Sequence, residues 1–173
     1  MELNYTIKYL ETLVESYEDY PRKGVSFKDL SLIYTDHMAV MMVLNFLKEK
    51  FKENKIEADC IIGCDARGFI IGSLLANELK LPFIMARKPG KLPPCELLKE
   101  SYELEYGKSE LQMVKHIISK YKSPIIADDV LATGGTCCAV TKMLSKIGIN
   151  VSAYAFISDI AFLKGKELSL IHI

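Results

Sequence analysis

The sequence predicts an α/β protein in which helices flank a central, mainly parallel sheet. Short apolar runs with the length and composition of buried strands occur at residues 60–62, 82–85, 124–127 and 151–156. Helical patterns at 69–79 and 134–147 lie between these runs, so strands and helices alternate along the middle of the chain. A loop containing glycine, residues 63–68, follows the first run. Because such sheets bind ligands beyond the carboxyl ends of their strands, we expect the functional site there.

The N-terminal part is predicted to be helical with one extended break. A single amphipathic stripe, spaced three and four residues apart, is formed by Leu3, Ile7, Leu10, Val14 and Tyr17. Pro21 and Gly24 end this helix, and residues 25–27 follow as an extended or looped piece. Asp36 is the expected N-cap of a second helix that runs to about Lys52.

The segment after residue 87 reads as a loop followed by a hairpin. Residues 88–100 contain three prolines and no periodicity, which predicts a mobile loop. Alternating patterns at 102–105 and 111–114 on either side of Gly107 predict a β-hairpin, although Ser109 and Gln112 could instead form a capping box. The absence of a repeat or a flexible linker predicts one domain over residues 1–173.

Composition excludes several classes of function. Lysine plus arginine number 22 and aspartate plus glutamate number 22, so there is no electrostatic case for nucleic-acid binding. The apolar runs are too short to span a membrane, and the N-terminus lacks the pattern of a signal peptide. The five cysteines include no C-x-x-C motif, so we expect reduced thiols in the cytoplasm. A helix N-terminus could activate Cys137 and Cys138, but we favour a packing role.

The strongest chemical motif spans residues 125–136. A hydrophobic run ends in Asp128 and Asp129, and a turn rich in glycine and threonine then leads into a helix. Backbone N–H groups at a helix N-terminus attract phosphate, and ionised carboxylates accept hydrogen bonds from ribose hydroxyls. The motif therefore predicts a site for ribose 5-phosphate, with a tight turn in which Asp129 only caps the helix as the alternative. It matches neither a P-loop nor a dinucleotide fingerprint.

This motif resembles the phosphoribosyl pyrophosphate signature of the phosphoribosyltransferases. Further segments resemble the adenine-specific members of that family, in the same order, at residues 21–29, 63–69, 87–93, 102–107 and 162–165. The resemblance implies a type I phosphoribosyltransferase fold, with a small N-terminal hood over about residues 1–35 and a flexible catalytic loop over 88–108. It also implies a homodimer and a non-proline cis peptide in the loop at 65–68.

The resemblance assigns roles to four groups of residues. The ribose-phosphate group comprises Asp128, Asp129, Ala132, Thr133, Gly134, Gly135 and Thr136. The pyrophosphate group comprises Asp65, Ala66, Arg67, Arg87, Lys88 and Lys91, with Arg87 possible across the dimer interface. The base-reading group comprises Val25, Ser26, Phe27 and Lys28. The catalytic group comprises Glu105, Tyr106 and Arg67. Without the resemblance, the sequence would indicate that Arg67 is a surface residue and that Phe27 is a core aromatic. The lysines would be interpreted as part of a solvated loop.

The implied reaction transfers the 5-phosphoribosyl group from phosphoribosyl pyrophosphate to adenine, giving AMP and pyrophosphate. Mg²⁺ is the implied cofactor, held mainly by the substrate near Asp128 and Asp129. The chain departs from the family pattern at 94–96, where Glu96 would repel a pyrophosphate, and at Ser26 and Lys28. Transfer to hypoxanthine, guanine or xanthine is the first alternative. A non-catalytic sensor of phosphoribosyl pyrophosphate is the second, and a plain structural α/β domain is the third.

Overall fold

The computed structural model describes residues 3–104 and 107–160. The chain divides into two compact units, Met1–Leu47 and Lys48–Ile173. The boundary lies inside one long helix, α3 (His37–Glu53).

The first unit contains two helices and a small hairpin before α3. Its elements are α1 (Leu3–Thr12), β1 (Glu15–Glu18), β2 (Ser26–Asp29) and α2 (Ser31–Thr35). The prediction of one helix reaching Tyr17 is wrong, because α1 ends at Thr12. Residues 15–18 instead pair antiparallel with β2, and Lys28 Nζ donates to Ser16 Oγ across the pair at 2.7 Å. The spacing of apolar residues by three and four therefore extends beyond the helix by coincidence. Residues 15–18 form a strand because they pair with β2.

Asp36 is the N-cap of α3, as predicted. Its Oδ1 accepts the backbone N–H of Met38 at 2.8 Å and of Ala39 at 3.2 Å. These bonds satisfy two of the donors that a helix leaves unpaired at its start. The hydroxyl of Tyr9 also donates to the Asp36 carboxylate, which connects α1 to the start of α3.

The second unit is built on a four-stranded parallel sheet, which confirms the predicted fold class. Its strands are β3 (Cys60–Cys64), β4 (Phe83–Ala86), β7 (Pro124–Ala127) and β9 (Ala153–Ala155). They lie in the order β4-β3-β7-β9. Helices α4 (Gly68–Leu79) and α6 (Gly135–Ser145) provide the two long crossovers, and α5 (Lys115–Ile118) is one turn. A short parallel pair joins β8 (Val130–Leu131) to β10 (Ser158–Asp159).

A long hairpin, β5 (Leu97–Leu104) and β6 (Gly107–Val114), is inserted before β7. The prediction of a hairpin is confirmed, but residues 97–100 are strand, so the expected loop ends earlier. Ser109 and Gln112 lie in β6, so the alternative of a capped helix is wrong. Local turn chemistry allowed both structures, and pairing with β5 selects the strand.

The core of the second unit lies between the sheet, α6 and the hairpin. Strands β3 and β7 are buried along their whole length. Val140, Met143 and Leu144 of α6 pack in the same cluster as Leu111 and Met113 of β6. This packing holds the carboxyl ends of the parallel strands at one rigid edge. Within residues 3–104 and 107–160, no helix is long and apolar enough to cross a membrane.

Candidate active site

The residues predicted to bind phosphate, the two acids and the basic residues meet at one edge of the sheet. Strands β3, β4 and β7 run parallel, so their carboxyl ends lie side by side. Asp65 follows β3, Arg87 follows β4 and Asp128 follows β7. The alternation of strands and helices in the sequence predicts a site at this edge.

Asp128 and Asp129 are neighbouring acids in a largely buried position. Asp129 is 2% exposed, and its backbone N–H donates to Asp128 Oδ1 at 2.9 Å. Burial raises the pKa of Asp128 to about 7, and the nearby charge of Asp129 adds to the rise. Burial also raises the pKa of Asp129, whereas the Arg67 guanidinium opposes that rise. The pair is thus costly to ionise without a ligand that supplies donors or positive charge.

Arg67 is an ion-pair partner of the buried acid. Its Nε lies 3.0 Å from Asp129 Oδ2, while its side chain remains 48% exposed. One end of the guanidinium therefore meets the acid and the rest faces solvent, where it can meet an anion. The alternative in which Asp129 caps the next helix is wrong, because Gly134 occupies the N-cap of α6.

The turn from Asp128 to Cys137 encloses a small pocket of about 70 Å³. Its wall contains all seven predicted ribose-phosphate residues except Asp129, together with Val130, Leu131, Cys137 and Phe156. Gly134 has φ of 80°, a left-handed conformation that glycine adopts without steric cost. Gly135, Thr136 and Cys137 at the start of α6 line the pocket, and an anion is favoured at the N-terminus of a helix.

Gly68 brings the start of helix α4 against the end of β7 and Asp128. A Cβ atom at this position would lie 2.7 Å from the carbonyl oxygen of Ala127 and 2.8 Å from Asp128 Oδ1. No side chain fits, so Gly68 allows Arg67 to approach Asp129 closely. The resemblance implies that Gly68 is part of the loop that holds pyrophosphate, and the close contacts at its Cα give it a packing role as well.

The residues predicted to bind pyrophosphate lie in and around the loop after β3. The Asp65–Ala66 peptide is cis, as the resemblance implied. Asp65 Oδ2 accepts the backbone N–H of Lys88 at 3.3 Å and lies 3.6 Å from Arg87 Nε. Arg87 also donates to the carbonyl oxygen of Lys91 at 3.2 Å. Asp65 therefore orders the basic segment, and the exposed side chains of Lys88 and Lys91 face solvent.

The negative charge of Glu96, which lies close to this basic segment in the sequence, is paired with a lysine. Its Oε1 lies 2.6 Å from Lys115 Nζ, and its carbonyl oxygen accepts the Lys115 backbone N–H at 3.0 Å. The expected repulsion of a pyrophosphate by Glu96 is therefore offset by a lysine that the sequence spacing did not suggest. These two contacts join Glu96, just before β5, to Lys115, just after β6.

The described structure does not test the roles of two predicted groups. The base-reading residues 25–28 lie in the first unit, where Phe27 packs edge-on against Tyr20 at 5.4 Å between ring centroids. Glu105 and Tyr106, and the matching segment at 162–165, lie outside the described residues. Their roles remain predictions from the resemblance.

The cysteines agree with the packing interpretation. All five, each within the described ranges, are free thiols, and Cys137 is buried in the first turn of α6. Burial raises the pKa of Cys137 to about 12. A thiol so costly to ionise is a poor nucleophile.

Comparison with known proteins supplies the family. The phosphoribosyl transferase domain matches residues 32–164. The chain belongs to the phosphoribosyltransferase family. That membership agrees with the sheet order and with the motif at 125–136, and it confirms the resemblance seen in the sequence.

Individual phosphoribosyltransferases resemble the chain over nearly its full length. The adenine phosphoribosyltransferase of Geotalea uraniireducens is 40% identical over 158 residues, or 91% of each chain. That of Mycoplasma mobile is 42% identical over 166 residues, or 96% of this chain and 92% of the relative. The crystal structure of the Saccharomyces cerevisiae enzyme has a TM-score of 0.87 at 30% identity and covers 96% of both chains. It contains D-2,5-dideoxy-2,5-imino-altritol 1,6-bisphosphate and adenine.

Proposed function

We propose that this protein transfers the 5-phosphoribosyl group from phosphoribosyl pyrophosphate to adenine, giving AMP and pyrophosphate. The observation that carries the proposal is the pocket at residues 128–137, where a pair of acids and a helix N-terminus converge beside Arg67. The choice of adenine is supported by relatives named adenine phosphoribosyltransferase.

The ribose 5-phosphate part of the substrate fits the pocket chemistry. The N–H groups of Gly135, Thr136 and Cys137 precede the first helical hydrogen bond, which Cys138 donates to Gly134, and are suited to a phosphate. Hydrogen bonds to a charged group are worth about 1.5–3 kcal/mol each. Asp128 and Asp129 then accept hydrogen bonds from the ribose hydroxyls.

The leaving group is held by the basic residues. Arg67 presents its exposed donors, and Arg87, Lys88 and Lys91 lie in a segment that Asp65 orders. As the bond from the anomeric carbon to the pyrophosphate oxygen breaks, negative charge collects on pyrophosphate. Fixed cations aimed at that charge stabilise the transition state without reorganising.

The donor set beside the pocket fits Mg²⁺. Carboxylate oxygens suit this ion, and a cation would relieve the repulsion that helps to raise the pKa of Asp128. Asp128 and Asp129 would contact the ion or its waters, with substrate oxygens supplying the other ligands. When bound, Mg²⁺ neutralises charge on the pyrophosphate.

Proton donation to the base is assigned to Glu105, with Tyr106 in the closing segment. As the ribose carbon bonds to one ring nitrogen of adenine, that nitrogen loses its hydrogen as a proton to the departing pyrophosphate. Glu105 donates a proton to another ring nitrogen of the base, and AMP returns that proton to the Glu105 carboxylate. Strand β5 ends at Leu104 and β6 begins at Gly107, and Glu105 lies between these residues in the sequence. The base-reading role stays with residues 25–28, where backbone groups would contact adenine.

The deciding experiment is a mixture of the purified protein with Mg²⁺, phosphoribosyl pyrophosphate and each purine base in turn. We expect AMP and pyrophosphate with adenine, and far slower reaction with hypoxanthine, guanine or xanthine. Preference for another base would replace adenine in the proposal. Tight binding of phosphoribosyl pyrophosphate without any nucleotide product would favour the non-catalytic sensor.

We further propose a homodimer and a cytoplasmic location. Ile70 on α4 and Met85 on β4 are 45% and 44% exposed, close in sequence to Arg67 and Arg87. A second copy covering these side chains would bring basic residues to the interface, and sedimentation should give twice the mass of one chain. The five free thiols support a reducing compartment.

A further inference from the structure

We propose that Tyr154 is a positioning residue for the phosphate-binding turn, holding the first turns of α6 in place on the sheet. The inference rests on the proposed function and concerns a side chain that does not line the pocket. Tyr154 is 7% exposed and belongs to the core cluster of the second unit. A buried tyrosine needs a partner for its hydroxyl, and the identity of that partner carries the inference.

The Tyr154 hydroxyl is bonded to α6. It lies 2.8 Å from Thr141 Oγ1, which in turn donates to the carbonyl oxygen of Cys137 at 2.8 Å. A threonine hydroxyl has one hydrogen atom, so Tyr154 must be the donor to Thr141. A directed pair of hydrogen bonds therefore runs from strand β9 to the first turn of α6.

Hydrogen bonds within the first turn of α6 connect Cys137 to Gly134, which lines the pocket. Cys137 Sγ donates to the carbonyl oxygen of Gly134 at 3.0 Å, and the same oxygen accepts the backbone N–H of Cys138 at 3.0 Å. Gly134 is the N-cap and lines the pocket. The orientation of the phosphate-binding N–H groups thus depends on contacts that begin at Tyr154.

Strand β9 also fixes the acids. The carbonyl oxygen of Ala155 accepts the Asp128 backbone N–H at 3.0 Å. Just beyond the strand, the Asp129 carbonyl oxygen accepts N–H groups from Ile157 and Ser158, each at 3.0 Å. Strand β9 and the residues just after it therefore set the spacing between the acids and the phosphate turn. Ribose 5-phosphate has a fixed distance between its diol and its phosphate, so a small shift of α6 weakens binding.

The test compares Tyr154→Phe with Tyr121→Phe as a matched control. Tyr121 packs against the same core cluster but lines a separate depression with Ser123 and Asn150, which precede β7 and β9 at the amino ends of those strands. Calorimetry with ribose 5-phosphate should show binding about threefold to tenfold weaker for Tyr154→Phe and unchanged for Tyr121→Phe. The KM for phosphoribosyl pyrophosphate should rise in proportion, with kcat and the KM for adenine unchanged.

A second variant separates positioning from stability. Thr141→Val removes the same link from the helix side, so it should weaken ribose 5-phosphate binding to a similar degree. The double variant should be no weaker than either single variant, because both changes break one chain of bonds. All measurements are made well below the Tm of each variant, so a loss of folding stability alone leaves the Kd unchanged.

Two results would overturn the inference while leaving the function intact. One is wild-type affinity in Tyr154→Phe, even if its Tm falls. The other is equal weakening in Tyr121→Phe. If the wild-type protein itself neither bound ribose 5-phosphate nor made AMP, the proposed function would fail and this inference with it.

Discussion

At the residue scale, the site depends on acidic side chains that are buried, although their charged forms are better solvated by water. Asp128 and Asp129 are adjacent and partly or fully buried, and Arg67 forms an ion pair with Asp129. Residues kept in such an arrangement lower the stability of the unliganded protein and favour a ligand that supplies donors or cations. The sequence predicted both acids, but only the structure shows that Arg67 pairs with Asp129 and that Gly68 packs against Asp128.

The first prediction follows from the pKa of Asp128. Its folded value, about 7, lies above the usual value for aspartate, so the folded state binds more protons than the unfolded state. The contribution of this group to stability therefore falls as the pH rises from about 4 to about 7. We expect Asp128→Asn to be more stable than wild type by about 1–3 kcal/mol at about pH 8 and similar to it at about pH 4.5.

The measurement is the free energy of unfolding in urea at both pH values. Asparagine keeps an oxygen that can accept the Asp129 backbone N–H, so the comparison isolates the charge. A variant that is less stable than wild type at the higher pH would contradict the assignment of a costly buried carboxylate.

The second prediction tests the proton donor. Glu105→Leu should lower kcat with adenine by about 10²–10⁴-fold, the usual contribution of general acid catalysis. Glu103→Leu, which lies in β5 two residues earlier in the sequence, serves as the matched control and should keep kcat within about twofold. An unchanged kcat for Glu105→Leu would remove this residue from the mechanism.

At the scale of elements, the hairpin β5–β6 is joined to the rest of the second unit by ion pairs and by backbone. Lys146, at the end of α6, lies 2.5 Å from Glu100 of β5. The Arg87 and Gln112 backbones exchange two hydrogen bonds, at 2.8 and 2.7 Å, between the basic segment and β6. Alternation in the sequence predicted the two strands, but no local pattern could indicate these partners, which are distant along the chain.

The third prediction concerns the Lys146–Glu100 pair. Since the Lys146 side chain is 56% exposed, we expect Lys146→Met to cost only about 0.5–1 kcal/mol of unfolding free energy. The loss should shrink in high salt, and the charge swap Lys146→Glu with Glu100→Lys should restore part of it. Lys50→Met, which removes an ion pair within α3, is the control for a local pair. A loss that does not depend on salt would assign the effect to packing of the lysine stem.

At the scale of the whole molecule, substrate binding and folding stability are linked. A ligand that binds only the folded state stabilises it, by about 2.7 kcal/mol when its concentration is about one hundred times its Kd. The pocket is built from segments that come together only in the folded sheet, namely residues 128–137 and Phe156. Unfolding therefore destroys the site.

The fourth prediction uses this linkage. Phosphoribosyl pyrophosphate with Mg²⁺ should raise the Tm of the wild-type protein by several degrees. The double variant Asp128→Asn with Asp129→Asn should lose most of that shift, because the acceptors for the ribose hydroxyls are weakened and the cation loses its carboxylates. Ribose without phosphate should shift neither protein. A full shift in the double variant would show that the acids do not bind the sugar.

The sequence alone determined the class of fold and the contents of the phosphate turn. Buried strands need continuous apolar runs, and a phosphate turn needs glycine at the start of a helix, so both features are written locally in the chain. The tertiary structure decided where α1 ends, which lysines neutralise Glu96 and Glu100, and that Tyr154 supports α6. Those outcomes depend on residues far apart in sequence, whose contacts arise only when the sheet and its crossovers bring them together.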